Sequence, residues 1–600
     1  VTDPPFLAVD GEATEGDYTL MCRSGSAPLV DTRPGGLHTV PCLEFLLRAP
    51  KPSRQVCFGL GYDVNNWLRD LPRPSLEQLW ETNLIYWRDY RIEWVPARWF
   101  AVKSIDGRYA KVTEVFGFFQ TSFVKALESW GIGAPTEIAR MKGERGTFKR
   151  TELEAVTRYC FAECELLVEL MDGLRDACAE ARVTPGQWIG AGSLAAALLK
   201  AKGVKTHHRY DLEIASDHVG ESVVMGAYFA GRIELLHQGT HHNLAAADLV
   251  SAYPAAMREL PSLRGARLVK RKRFNLDRHG IWRVSWDLAG DGGGFGSAGA
   301  DPPLLAPFPV RVKQSIFYPL AGEGHYHTVE VAAALALYPD QVSVHYGYVL
   351  QGKHTAERPF AWIPDVYKTR QRFKREGRAA ERVIKLALNS CYGKLAQGDF
   401  GHGDRPPFQS YFWAGYITAA TRARMLTIAA ACVDPIMIAT DGIYAKELPK
   451  GLGPGHGLGN WERGPVEKLF AAQPGVYQAE ENGEVKSKSR GFFAREIDYS
   501  ELEAGYALEG ADYAYNYVSH RFNGLGSSLA RKDFSIWRKW TDERRSILLW
   551  PERKIAGPDG RLLPFPGHLV SEPYKKKISL VDARAIDRMD GDDQPMVSVI

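Results

Sequence analysis

Two aspartates, Asp248 and Asp441, each interrupt apolar strand-forming sequence: Leu244 to Ser251 for the first, Ile436 to Ala439 and Ile443 to Ala445 for the second. They stand 193 positions apart (441 − 248). If both carboxylates serve one site, two strands that far apart must meet in one sheet. The chain between them must then leave that sheet and return. Within the interval lies KLALNSCYGK from Lys385, where Lys385, Asn389 and Tyr392 stand at i, i+4 and i+7 and share one helical face.

This order has a chemical meaning. Two divalent ions about 3.5–4 Å apart can stabilise both the attacking and the leaving oxygen of a phosphoryl transfer. Hard carboxylate oxygens suit Mg²⁺, which takes one or two protein carboxylates and keeps waters. A lysine on the intervening helix can neutralise a triphosphate, and a tyrosine ring can pack against a nascent base pair with Asn389 beside it. Arg370 and Lys374, four apart upstream, could meet the same phosphates. Tyr253, five after Asp248, could press on the sugar and exclude a 2′-hydroxyl, the mark that separates RNA from DNA.

At 600 residues the chain is too long for one core, and several domains are expected. A net charge of +4 is modest, but basic residues cluster at Lys270 to Arg273, Lys368 to Arg382 and Lys575 to Lys577. No run of eighteen apolar residues argues for a membrane span, and the acidic N-terminal stretch has no signal-peptide pattern. Eight cysteines without CxxC spacing read as free thiols in a reducing cytosol, not as a zinc site.

The spacing of apolar residues predicts a strand at Phe6 to Val9, helices at Leu153 to Leu174 and Ser193 to Lys202, and a strand at Ser222 to Phe229. Pro254 falls near a helix start. Residues 262 to 360 read as β-rich inserted material with a Gly-rich connection, Gly290 to Asp301. Residues 364 to 397 read as helix broken near Gly377, followed by helix at Tyr411 to Cys432 and a hairpin centred on Asp441. The last hundred residues read as mixed helix and loop.

The three strings resemble the A, B and C motifs of family B DNA polymerases. D-x-x-S-x-Y-P is met by Asp248, Ser251, Tyr253 and Pro254. K-x-x-x-N-S-x-Y-G is met by Lys385, Asn389, Ser390, Tyr392 and Gly393. The third, commonly Y-x-D-T-D-S, is reduced to Ile438-Ala439-Thr440-Asp441-Gly442, with Ala439 in place of the first acid. The resemblance makes Asp248 and Asp441 the catalytic metal ligands. It makes Ser251, Tyr253, Arg370, Lys374, Lys385, Asn389 and Tyr392 nucleotide-binding residues. Lys488-Ser489-Arg490-Gly491 is similar to the element whose lysine contacts the primer end. Tyr228-Phe229-Ala230-Gly231 is similar to the template-contacting Y-x-G-G/A element. These imply a catalytic role for Lys488 and DNA contacts for Tyr228, Gly231, Gly393, Lys488 and Arg490.

Further carboxylates gather near the N-terminus: Asp10 and Glu12, Asp63 after Tyr62, and Glu163 four after Tyr159. Four acids to hold ions and a tyrosine to orient water are the parts of a two-metal phosphodiesterase. They resemble the three motifs of the 3′–5′ exonuclease domain of proofreading polymerases. This implies that Asp10, Glu12, Asp63, Tyr159 and Glu163 are catalytic and that the four acids bind metal. Gly59 stands where the second motif commonly has Asn, and Glu163 where the third has Asp. Lys142 reads as a surface lysine, with support of a scissile phosphate as the alternative.

The resemblance implies an α/β and α+β multidomain chain: an RNase H-like exonuclease domain followed by a right-hand polymerase. Its expected divisions are 1–175 exonuclease-like, 176–235 connecting, 236–261 first palm part, 262–360 insertion and palm, 361–397 fingers, 398–495 second palm part and 496–600 thumb. The compact size resembles the viral, plasmid and organellar-element branch, some of whose members start from a terminal protein. Only 49 positions separate Tyr392 from Asp441 (441 − 392), which argues against that branch's second insertion. The expected cofactor is Mg²⁺, with Mn²⁺ as an alternative, two ions per site. The expected partners are primer-template DNA and dNTPs, with a terminal protein or other replication proteins as further candidates. The expected setting is a monomer in the cytoplasm, that of a bacterial host cell if the chain belongs to a phage or mobile element. The rival readings are a protein-primed replicative polymerase, a nuclease whose polymerase half only clamps DNA, and a replication factor with decayed sites.

Overall fold

The computed structural model describes residues 3–133, 136–204, 218–288, 305–313, 315–398, 406–453, 455–492, 496–549, 554–556 and 562–574. The Gly290 to Asp301 connection and the Lys575 to Lys577 run lie outside the described residues.

Among the described residues the chain builds three large sheets. The first holds eight strands, with Phe6–Thr14 between Asp17–Arg23, which runs antiparallel to it, and Arg54–Cys57, which runs parallel. Residues on both faces of Phe6–Thr14 are buried, which suits a strand inside a sheet. The long helix Leu153–Ala181 packs across it, turning Val156, Cys160, Leu167 and Met171 into the core.

The second sheet holds seven strands and carries Asp248. Strand Gly239–Leu249 lies between Gly442–Glu447 and Trp461–Gln473, and Val433–Thr440 and Arg232–Leu235 extend the sheet on one side. On its other side is the hairpin Val476–Glu481 and Glu484–Ser489. Asn482 and Gly483, both at positive φ, form the tip of this hairpin, as the favoured tight hairpin turns require. The helices expected across 364–397 are Ile363–Arg375 and Ala380–Leu395, separated at Gly377 with φ +65°.

Helix Tyr411–Ala431 is apolar on nearly every side and runs through the interior; its Ser410 cap accepts a hydrogen bond from the Trp413 N–H. It carries the buried cation Arg422, which pairs with Glu330 of helix Thr328–Leu337 at 2.7 and 2.9 Å. Arg422 also donates to the carbonyls of Phe229 and Ala230, and Thr418 donates to Phe229 O at 2.6 Å. Three elements distant in sequence are thereby locked around the turn that leads into the second sheet.

Two sequence expectations are corrected. Ser222 to Phe229 is not a strand: helix His218–Gly226 occupies most of it, and Val223, Val224 and Met225 are buried. The strand preference of β-branched valines is weak, and packing against helix Tyr411–Ala431 and strand Pro319–His327 overrides it. The last hundred residues are not only helix and loop. Strands Ala514–Phe522 and Trp540–Leu548 pair antiparallel, and Leu562–Val570 joins the third sheet beside Pro319–His327. Tyr515, Tyr517 and Ser519 alternate inward with period two, a signal the composition masks.

The Arg422–Glu330 pair is 3% exposed on both sides. Glu330→Ala leaves a buried guanidinium uncompensated and should destabilise the chain by about 3–5 kcal/mol. A clear fall in the thermal unfolding midpoint is the expected reading; an unchanged midpoint would show that the pair does not anchor these elements.

Candidate active sites

Asp248, next to last in its strand, pairs in register with Gly442, the residue after Asp441. Asp441 therefore sits at the turn between strands Val433–Thr440 and Gly442–Glu447, next to the end of the strand that carries Asp248. The Asp441 N–H bonds back to Ala439 O at 2.8 Å, and Leu249 N–H donates to Asp441 O at 2.8 Å. Thr440 stands at φ +65°, which turns the chain so tightly. A Cβ at Gly442 would lie 2.3 Å from Asp248 Oδ1. The glycine's lack of a side chain makes room for the carboxylate.

The electrostatics agree with convergence. Burial and then the charge of Asp248 push the Asp441 carboxyl up to about 6. Asp248 has an exposed side chain, yet surrounding protein, then Glu481 and Glu462, raise its carboxyl above the usual range against Lys486 and Lys488. Glu481 is a neighbour that sequence reasoning missed. It accepts a hydrogen bond from Tyr444 Oη at 3.0 Å and pairs with Lys486 at 2.7 Å. Lys488 and Arg490 are exposed at the end of their hairpin.

The helical string joins this sheet through aromatic rings. Tyr392 is buried and packs on Tyr253 with ring centroids 4.6 Å apart. Lys385 and Asn389 stay exposed further along the same helix face. Ser251, at φ +50°, stands at the N-cap position of the short helix Ala252–Met257 that carries Tyr253, without a side-chain capping bond. At Gly231 a Cβ would stand 2.7 Å from Thr440 Cγ2 and 3.0 Å from Tyr253 Oη, so this glycine lets the Arg422-anchored turn press against both.

Two expected contacts differ. Tyr228 is fully buried among Tyr411, Tyr574 and Tyr392, so it packs and offers no surface to DNA. Arg370 is committed to Glu381 at 2.8 Å, while Lys374 is exposed. Gly393 is exposed with open space where a Cβ would be.

The second constellation assembles on the first sheet. Asp10 and Glu12 lie on strand Phe6–Thr14, Asp63 on helix Leu60–Trp67, and Tyr159 and Glu163 on helix Leu153–Ala181. Carboxylate oxygens of Asp10, Glu12 and Glu163 lie within 4.8 Å of one another. Asp63 accepts from Tyr18 Oη at 2.7 Å, and Tyr18 in turn accepts from Trp67 Nε1 at 3.0 Å, a support the motifs did not reveal. Burial pushes Glu12 up to about 8, against Arg145, and Asp63 up to about 7, against its bond from Tyr18. Burial acts on Glu163 too, but Lys142 and Arg145 outweigh it and hold its carboxyl below the usual value.

Lys142 is corrected: it is no surface lysine but pairs with Glu163 at 2.8 Å with 15% of its side chain exposed. Gly59, at φ +93°, starts the Asp63 helix, and its N–H and that of Leu60 donate to buried Glu114. All eight cysteines are buried free thiols, and Cys160 lies against Asp10.

Comparison with known proteins places this geometry. The family described as DNA polymerase type B, organellar and viral, matches residues 135–401. A DNA polymerase of Acidianus bottle-shaped virus is 32% identical over 159 residues, which is 26% of this chain and 23% of that protein. The chain thus aligns with under a quarter of that relative's length. Phi29 DNA polymerase complexed with primer-template DNA and incoming nucleotide has a TM-score of 0.62 at 13% identity, covering 92% of this chain and all of that one. The same polymerase with single-stranded DNA gives 0.58 at 14% identity, covering 86% of this chain and 96% of that one. The fold is the one expected: an exonuclease-type domain joined to a right-hand polymerase. The chain is similar to family B DNA polymerases of the organellar and viral type, as its motifs indicated.

The raised Asp441 carboxyl predicts a pH effect. Its folded-state pKa of about 6 exceeds the usual 3.8, so its contribution to stability is complete below about pH 4 and is lost as pH rises through 6. In chelator, Asp441→Asn should therefore show a smaller fall in unfolding midpoint between pH 4 and 6 than the parent. An equal fall would contradict the assignment.

Proposed function

We propose that this chain is a DNA-directed DNA polymerase that adds nucleotides to a 3′-hydroxyl on a DNA template, with a 3′–5′ exonuclease in its N-terminal domain. The observation that supports this reading is the register of Asp248 against Gly442, which brings the Asp248 strand beside the turn of Asp441, whose carboxyl feels the Asp248 charge and acts in turn on Tyr253, the ring packed on Tyr392.

The donor set at this place is carboxylate oxygen alone, which fits Mg²⁺ or Mn²⁺. Asp248 and Asp441 would hold two such ions, and these, when bound, supply charge stabilisation to the attacking and leaving oxygens. The protein's own groups do the rest. Lys385 and Asn389 present one cationic, hydrogen-bonding face to a triphosphate, and Lys374 adds charge nearby. Arg370, held by Glu381, stiffens the junction between the two helices rather than moving freely. Tyr253, braced by Tyr392 and Gly231, forms a rigid aromatic wall for the sugar and base pair. Lys488, whose charge acts on Asp248, and Arg490, whose charge acts on Tyr253, offer cations to the primer backbone. Primer-template DNA and dNTPs are thus the proposed partners. None of the described helices is long and apolar enough to cross a membrane.

At the N-terminal cluster, Asp10, Glu12, Asp63 and Glu163 would hold ions, and Tyr159 would orient the attacking water.

Primer extension on a labelled hairpin with Mg²⁺ tests the polymerase reading. Asp248→Asn and Asp441→Asn should each lower extension by about a thousandfold or more. No extension by the parent, or equal extension by parent and variants, overturns it. Degradation of the hairpin without dNTPs should disappear in the Asp10→Ala/Glu12→Ala chain while extension persists. Degradation that continues in that variant contradicts the exonuclease assignment.

A further inference from the structure

The N-terminal acidic cluster is not open. The Arg145 guanidinium lies inside it, with Nη2 2.7 Å from Glu163, 3.0 Å from Glu12 and 3.7 Å from Asp10. Its Nε donates to Tyr159 Oη at 3.1 Å. One side chain thus touches three of the four carboxylates and the tyrosine assigned to the chemistry. Lys142 holds Glu163 from the other side.

Local structure puts Arg145 there. Helix Thr136–Gly143 ends just before it, Thr147 N–H bonds back to Glu144 O at 3.1 Å, and Gly146 turns the chain at φ +90°. The Glu15 N–H then binds Phe148 O at 2.8 Å, tying this turn to the end of the strand that carries Asp10 and Glu12.

We infer that Arg145 is a resident cation of this cluster, holding among Asp10, Glu12 and Glu163 a position that a divalent ion would otherwise take, so that a full metal complement requires Arg145 to swing out. The inference rests on the exonuclease reading of the domain. Arginine keeps its charge at every working pH, so it cannot vacate the place by losing a proton. Even with all four carboxylates ionised, Arg145 and Lys142 leave at most two negative charges, the balance for one divalent ion, not two. The space agrees. The cavity lined by Asp10, Lys142, Glu163, Phe58 and Phe123 measures about 10 Å³, room for about one water-sized guest. An exit exists as well: the Arg145 side chain is 32% exposed, against 5–6% for Glu12 and Glu163.

The test measures ion binding directly. In full-length chain carrying Asp248→Asn/Asp441→Asn, which silences the other carboxylate pair, free Mn²⁺ is followed by electron paramagnetic resonance. Arg145→Met and Arg145→Gln should each bind Mn²⁺ roughly tenfold or more tightly than the parent, and Arg145→Lys should stay near it. Adding Asp10→Ala/Glu12→Ala should abolish the gain. Equal or weaker binding by both neutral variants overturns the inference, because a guanidinium kept only to grip the scissile phosphate does not compete with the ion. A gain that survives Asp10→Ala/Glu12→Ala overturns the metal-site reading of the domain itself, and the inference with it.

Discussion

The pairing of strand Gly239–Leu249 with Gly442–Glu447 is the contact on which the catalytic reading depends. It brings the two carboxylates close; burial first, and then the charge of Asp248, raises the Asp441 carboxyl, and repulsion alone would separate them. What opposes it is the sheet. Strand Trp461–Gln473 holds the other edge of Gly239–Leu249 over ten paired positions, and the strand pair Val433–Thr440 and Gly442–Glu447 packs on helix Tyr411–Ala431. Arg422 of that helix fixes the turn whose Gly231 touches Thr440 and Tyr253. A buried ion pair and two missing side chains, at Gly231 and Gly442, thus translate interior packing into the placement of surface charge.

The two carboxylate clusters answer the same electrostatic problem differently. At Asp248 the cations that act on the carboxyl, Lys486 and Lys488, do so from a hairpin at the rim without bonding to it. In the N-terminal domain Arg145 and Lys142 are already bonded to the acids. The first arrangement favours rapid occupation by an ion; the second favours a domain that stays folded without one. Ala439 sharpens the contrast, since the position where the family commonly has a further acid contributes no charge.

Much of this is legible in the sequence. The A and B strings, the Gly377 break and the interior helix after Tyr411 stand where spacing puts them, because each combines a periodic apolar pattern with a local breaker or cap. The hairpin that presents Lys488 also carries its signal, the Asn482-Gly483 pair, within a stretch that reads as merely charged. Other features have no local signature. Arg145 is one arginine in a run of charged residues, Lys142 reads as exposed, and Glu481 has no motif; each acquires its place only through contacts from other elements. Tyr228 falls on the other side of the same limit: an aromatic in a DNA-contact motif and an aromatic in a core look alike until neighbours are known.

The central claim is that Asp248 and Asp441 form one ion-binding place, and iron(II)-directed backbone cleavage tests it most directly. Fe²⁺ takes the place of Mg²⁺ and, with peroxide and ascorbate, cuts the chain close to where it is bound. In an Asp10→Ala/Glu12→Ala chain, which removes the N-terminal cluster, the account predicts two cuts, one near Asp248 and one near Asp441, both suppressed by excess Mg²⁺. Cleavage near only one of the two aspartates, or near neither, would contradict it.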